Sequence, residues 1–228
     1  MSEAFVIGYD PGGIGMHGVV VLPVERHKGR WIPRDLKVTA ADTLQHVVAW
    51  VNDTCGGGRI VAAGVDTLTE WNSGRGGWRP ADKWLRRTYP AVRQSVKAPA
   101  GLRGSMVMSG AAFLKLFEER FRSDATRVTE AHPKVCYFAL TGEKASWSGD
   151  REKMASWLLR ELTVGNRDDI CVADDHRFDA ATAALAALRG LNGDWTLDLH
   201  ALEDVDHSGR VRFCGPTHYW WPDPPPPP

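Results

Sequence analysis

Apolar and polar positions follow two different periods along this chain, and the switches between them mark out its elements. Phe5-Val6-Ile7 is a short apolar run that ends in Asp10, and Pro11, Gly12 and Gly13 then impose a turn. Gly18-Val19-Val20-Val21-Leu22 follows closely enough to be its hairpin partner, so strands are expected over 4–10 and 16–23. Arg26 to Pro33 is polar and basic and reads as a loop; Asp35 to Ala40 alternates and reads as a third strand. Asp42 can cap a helix whose apolar face is Leu44, Val47, Val48, Trp50 and Val51, and Gly56-Gly57-Gly58 stops it. Arg59 to Asp66 is a continuous apolar run, the pattern of a strand covered on both faces, and it too closes on an aspartate.

Residues 67–103 are the least regular, broken by Gly74, Gly76 and Gly77 and by Trp71, Trp78 and Trp84. A helix is expected from Gly104 to Arg122, a short strand over Arg127–Glu130 ended by His132-Pro133, and further helices near 134–140 and 150–162. Asp168 to Ala173 reads as a last short extended piece. The strongest helix follows. It opens at Asp174-Asp175-His176-Arg177-Phe178-Asp179, continues through an almost pure Ala/Leu run from Ala180 to Leu188, and closes at Gly190 and Gly193. Beyond residue 195 the pattern is weak, and five prolines at 224–228 read as a disordered tail. This divides the chain into a domain over 1–195 and a C-terminal extension over 196–228.

Composition changes this picture in few places. With 228 residues and 28 basic against 28 acidic side chains, nothing pulls the whole molecule toward nucleic acid or membrane, so any such affinity is local. No apolar run approaches the length of a membrane span, and the start lacks a signal-peptide pattern. Cys55, Cys136, Cys171 and Cys214 are widely spaced, which fits neither a zinc site nor a disulfide framework; reduced thiols in a cytoplasmic protein are expected. The charge is uneven, however. Residues 67–103 hold eight basic side chains (Arg75, Arg79, Lys83, Arg86, Arg87, Arg93, Lys97, Arg103) against Glu70 and Asp82.

The acidic positions carry the chemistry. Asp10 and Asp66 end two apolar strands, Glu130 ends a third, and Asp175 and Asp179 share one face of the Ala-rich helix. If the strands are neighbours, these carboxylates emerge together and the helix brings Asp179 over them. Hard divalent cations such as Mg2+ take oxygen ligands of this kind, and two such ions can activate a water and stabilise the leaving oxygen of a phosphodiester. Without metal, carboxylates that close repel and hold their protons more tightly. The competing structural reading makes Asp66 a strand-end cap, Glu130 an ion-pair partner of the basic segment, and Asp174, Asp175 and Asp179 complements to the helix N-terminus.

Four stretches resemble, in order, the motifs of a bacterial and archaeal family of predicted ribonuclease H-like nucleases, long catalogued as a domain of unknown function. They are Val6-Ile-Gly-Tyr-Asp10, Gly64-Val-Asp66, Arg79-Pro-Ala-Asp82 leading to Arg86, and Glu130-Ala-His-Pro133. Phe178-Asp-Ala-Ala-Thr-Ala-Ala184 is similar to the family's closing Asp-Ala helix and, more remotely, to that of Holliday-junction resolvases. The resemblance covers roughly residues 4–190. It implies a ribonuclease H-like α/β fold, a mixed central sheet with antiparallel first strands and flanking helices. It also implies a nuclease in which Asp10, Asp66, Glu130 and Asp179 are catalytic ligands of Mg2+ or Mn2+, supported by Asp175. The resolvase-like pattern places an acid three residues before Asp179, where this chain has His176; the long segment 67–78 leaves Glu70 as a substitute ligand.

Nucleic acid, DNA or RNA, is the partner this reading requires. Arg75, Arg79, Lys83, Arg86, Arg87 and Arg103 would track phosphates, and Trp78 would stack on unpaired bases. His17 and His132 are candidates for proton carriers. No membrane partner is expected, and a homodimer is left open. Two other classes remain. One is a non-catalytic nucleic-acid or protein adaptor. The other is an ATP-binding protein, because Asp10-Pro-Gly-Gly-Ile-Gly15 also resembles the first phosphate loop of actin-like and sugar-kinase ATPases.

Overall fold

The computed structural model describes residues 3–12, 16–164, 173–203 and 209–223, and of Arg75 the backbone only. The turn residues 13–15, all but Ala173 of the extended piece expected over 168–173, with Cys171, and the prolines at 224–228 lie outside the described residues.

A six-stranded mixed sheet organises the chain. Strands β1 (Ala4–Asp10) and β2 (His17–His27) form the expected antiparallel hairpin, and β3 (Arg30–Pro33) and β4 (Lys37–Ala41) both pair antiparallel with β2. On the other side of β1 lie β5 (Arg59–Val65) and then β7 (Arg127–Glu130), both parallel. The loop expected over 26–33 is thus corrected to a second hairpin. Lys28 (φ 47°) and Gly29 (φ 85°) supply the two left-handed residues that a tight turn between twisted strands requires.

Strand alternation decides which helix each residue meets. Phe5, Ile7 and Tyr9 of β1, with Val19 and Val21 of β2 and Ala63 and Val65 of β5, face α1 (Leu44–Cys55) and α3 (Gly104–Arg120). Their partners there include Val47, Val51, Phe113, Leu114 and Phe117. Val6, Val20, Leu22 and Ala62 face the other way, toward α4 (Pro133–Thr141), α5 (Arg151–Leu162) and α6 (Asp175–Leu191).

Helix α6 crosses β1, β2 and β5 almost backbone on backbone. A Cβ on Gly8 would stand 2.0 Å from the Ala180 carbonyl oxygen, and one on Gly64 would stand 1.8 Å from that of Ala183. Small residues on both surfaces are what allow this approach, and the alanine run read from the sequence is the helix half of the fit. Asp174 caps the helix by accepting from the Arg177 backbone N–H.

Two irregular regions acquire structure from packing rather than pattern. Segment 67–103 holds β6 (Glu70–Asn72) and α2 (Pro80–Thr88). The extension after residue 195 folds back as β8 (Leu197–Asp198), β9 (Arg210–Arg212) and β10 (Trp220–Trp221), with β10 on β8 and β9 on β6. Tyr219 and Trp221 are buried in a third core with Leu85, Val135 and Ala183, and Trp221 Nε1 donates to Tyr89 Oη at 3.0 Å. Among the described residues, no helix is long and apolar enough to cross a membrane.

Candidate metal centre

The alternation that sorts the core also sorts the acids. Asp10 lies two residues after Gly8, and Asp66 two after Gly64, so both side chains project toward α6. The Asp66 backbone N–H donates to the Tyr9 carbonyl at 2.8 Å, which keeps the two strand ends level. Asp179, one residue before the Ala180 that touches Gly8, comes down from the helix above. One carboxylate oxygen from each of Asp10, Asp66 and Asp179 lies within 4.8 Å of the others.

Glu130, expected as a fourth ligand, lies outside this group of three, although it borders the same cavity as Asp66. Register pairs Glu130 with Val65 at the end of β7, where its side chain turns to the start of α2 and lines the same cavity as Asp66. There it meets Arg79. Arg79 Nη2 donates to Glu130 Oε1 at 2.6 Å, and Nη1 to Oε2 at 2.7 Å. The Thr69 backbone N–H and hydroxyl add donors at 3.0 and 3.1 Å. Arg79 also holds Asp82, through Nη2 at 2.8 Å and Nε at 3.0 Å. This is the bidentate geometry in which a guanidinium binds carboxylates best.

Electrostatics separates the two groups. Burial pushes the carboxyls of Asp66 and Asp179 well above the ordinary range, and the charge of Asp10 beside them adds to it. Asp10 is raised too, chiefly by burial, against the pull of a hydrogen bond with His176. Glu130 behaves oppositely. Burial alone would raise it, but the Arg79 charge and the donors around it hold it well below the usual carboxylate range.

Two further residues border the triad. His176 Nδ1 and Asp10 Oδ2 share a 2.5 Å hydrogen bond. Lys134, in the first turn of α4, places Nζ 3.8 Å from Asp179 Oδ2. The sequence reading noted His176 only as a departure and did not single out Lys134. A signal existed, since a cation at a helix N-terminus opposes the helix dipole and needs nearby anions to offset it. Asp175 is half-exposed and lines the same cavity, outside the group of three. That cavity, of about 520 Å³, is bordered by Asp66, Lys134 and His176 on one side and by Leu102, Arg103 and Met106 on another.

Other sequence candidates lie elsewhere. His17 faces the α1/α3 core, hydrogen-bonded through Nδ1 to Tyr9 Oη at 3.0 Å, and burial lowers its pKa. His132 borders the cavity, its pKa pushed down to about 4 by burial. Glu70 pairs with Arg210 and Arg212, at 3.5 and 3.6 Å. Of the expected phosphate-tracking side chains, Arg79 is buried in its ion pairs. Arg86 donates to the Arg93 and Val96 carbonyls at 2.8 and 2.7 Å and covers the Trp78 ring at 5.2 Å. Arg79 is therefore corrected to a structural role, while Arg86 and Trp78 are half-buried against one another. Lys83, Arg87 and Arg103 are exposed, and Arg103 borders the cavity together with Lys97.

Fold and site together define an α/β protein with a buried acidic triad suited to a divalent cation. The donor set fits a hard ion, being all carboxylate and mutually repelling, with the Asp66 and Asp179 carboxyls pushed above their ordinary range by burial. Residues 17–198 match the family described as "Protein of unknown function (DUF429)", and the chain belongs to that family. The matched segment contains Asp66, Lys134, His176 and Asp179 and begins after Asp10. No curated protein matches the sequence.

Proposed function

We propose that this protein is a metal-dependent nuclease with a ribonuclease H-like fold, hydrolysing phosphodiester bonds with Mg2+ or Mn2+ at Asp10, Asp66 and Asp179. The observation that carries the reading is the convergence of these three carboxylates from two parallel strands and the helix that crosses them. The sheet order β3-β2-β1-β5-β7, antiparallel through its first strands and parallel after, supports the fold reading.

A divalent ion held by the triad would polarise the phosphodiester and a water molecule, and would draw the carboxyls to their ionised form. The rest falls to the chain's own residues. Alternation of β1 and β5 and the close seat of α6 fix the ligand oxygens without a flexible loop. His176 orients Asp10 through its Nδ1 contact. Lys97 and Arg103, exposed at the cavity, supply positive charge for the phosphates on either side of the scissile one. In the hydrolysis a water oxygen bonds to phosphorus as one P–O ester bond breaks. One water proton ends on the departing alkoxide and the other on the new phosphate monoester.

The test is cleavage of labelled single-stranded and duplex DNA and RNA by wild type and by Asp66→Asn, in Mg2+ and in chelator. Cleavage confined to wild type with metal supports the proposal. Cleavage that survives both the variant and the chelator, or no cleavage of any substrate by either protein, overturns it. Binding without cleavage would point to the adaptor class instead.

A further inference from the structure

Resting on that reading, the side chain that deepens it is Lys134. Its ammonium sits 3.8 Å from Asp179 Oδ2, and Asp179, Asp66, Asp175 and Asp10 all act on it. It stands at the second position of α4, where the helix dipole disfavours a cation, so the acids hold it there against that field. Arg79, which borders the same cavity, is already engaged by Glu130 and Asp82. One of the three carboxylates of the triad, Asp179, thus already faces a fixed positive charge.

We propose that Lys134 takes the place of a second divalent ion: the centre holds one ion between Asp10, Asp66 and Asp179, and the Lys134 ammonium beside Asp179 contacts the oxygens of the scissile phosphate. This revises the two-ion site expected from the sequence. Lys134 forms no covalent bond and gives up no proton in this role. Its stem is half-exposed at the cavity, so its amine reaches both Asp179 and a phosphate lying there. Arginine at this position keeps the charge, whereas methionine keeps the apolar stem and removes it.

The experiment counts Mn2+ bound per chain, by electron paramagnetic resonance of the free ion, in wild type, Lys134→Arg and Lys134→Met. One ion is expected in wild type and Lys134→Arg. Two are expected in Lys134→Met, with Asp175 and the vacated side of Asp179 accepting the second. In chelator, Lys134→Met should also melt roughly 2–4 °C below wild type, because the buried acids lose their counter-charge. Two ions in wild type, or a single ion in Lys134→Met, overturns the Lys134 proposal and leaves the metal centre standing. No bound ion in wild type removes the centre itself, and both readings with it.

Discussion

Two groups of carboxylates stand at the same end of the parallel strands and line one cavity. Asp10, Asp179 and Glu130 are each at most 5% exposed, so burial does not distinguish them. The cation does. Glu130 and Asp82 close on the Arg79 guanidinium with paired hydrogen bonds, and Glu130 is held ionised. Asp10, Asp66 and Asp179 face one another, with a lysine at 3.8 Å and an imidazole at 2.5 Å, and all three are pushed toward the protonated form. A buried acid whose counter-charge is built into the chain reads as structure. A buried acidic group whose built-in charge is insufficient reads as a place for a cation from outside.

The largest expected effect breaks the structural group. Arg79→Met leaves Glu130 and Asp82 buried without their partner and should lower stability by about 3–5 kcal/mol in urea unfolding. A loss below about 1 kcal/mol would mean that the ion pairs are weak and that the comparison has no energetic basis. Next is the seat of the helix. Gly64→Ala forces a methyl group into the Ala183 carbonyl, 1.8 Å away, and should destabilise by roughly 1–3 kcal/mol or more. Because α6 must lift, Asp179 moves from Asp66, so divalent-ion affinity should fall in the variant even where it is fully folded. Unchanged affinity by calorimetry would show that the triad does not depend on this close approach.

The smallest effect, and the most discriminating, is the pH dependence. Asp66 and Asp179 hold their protons above the ordinary value of 3.8. In metal-free protein they therefore contribute stability that is full below that value and is lost as pH rises through their raised values. Glu130 has the opposite sign, since its contribution is present above the ordinary 4.5 and is lost as pH falls through its depressed value. His132, lowered to about 4, also loses its contribution as pH falls, so the readout is a difference between proteins. Wild type minus Asp66→Asn should decline with rising pH, and wild type minus Glu130→Gln should decline with falling pH. Parallel difference curves would erase the distinction between the two groups.

Much of this was legible in the sequence, and the failures have particular causes. The runs of β1, β5 and β7 and the Ala-rich α6 carry their own periodicity, and the strand-ending aspartates Asp10 and Asp66 follow from it. Asp179 stood out because a charge entering an alanine face is otherwise hard to place. Glu130 looked equivalent, since nothing within Arg127–Glu130 tells that its carboxylate is met by the Arg79 guanidinium, 51 residues earlier. Counting charges in 67–103 could not show that Arg79 is bound by a carboxylate 51 residues further on, or that Arg86 donates to the nearby Arg93 and Val96 carbonyls. Strand β10 was invisible for the same reason, because Trp221 is buried by Tyr89 and neighbours from other elements.

The most direct measurement is a thermal melt of wild type and Asp66→Asn, each with and without Mg2+. Asp66→Asn should melt higher than wild type in chelator, because it removes one of three repelling acids. Mg2+ at a hundredfold over its dissociation constant should add about 2.7 kcal/mol to wild type, a rise of several degrees, and nothing to the variant. Equal shifts in both proteins, or none in either at roughly 10 mM Mg2+ or Mn2+, would contradict the claim that Asp10, Asp66 and Asp179 form a metal centre.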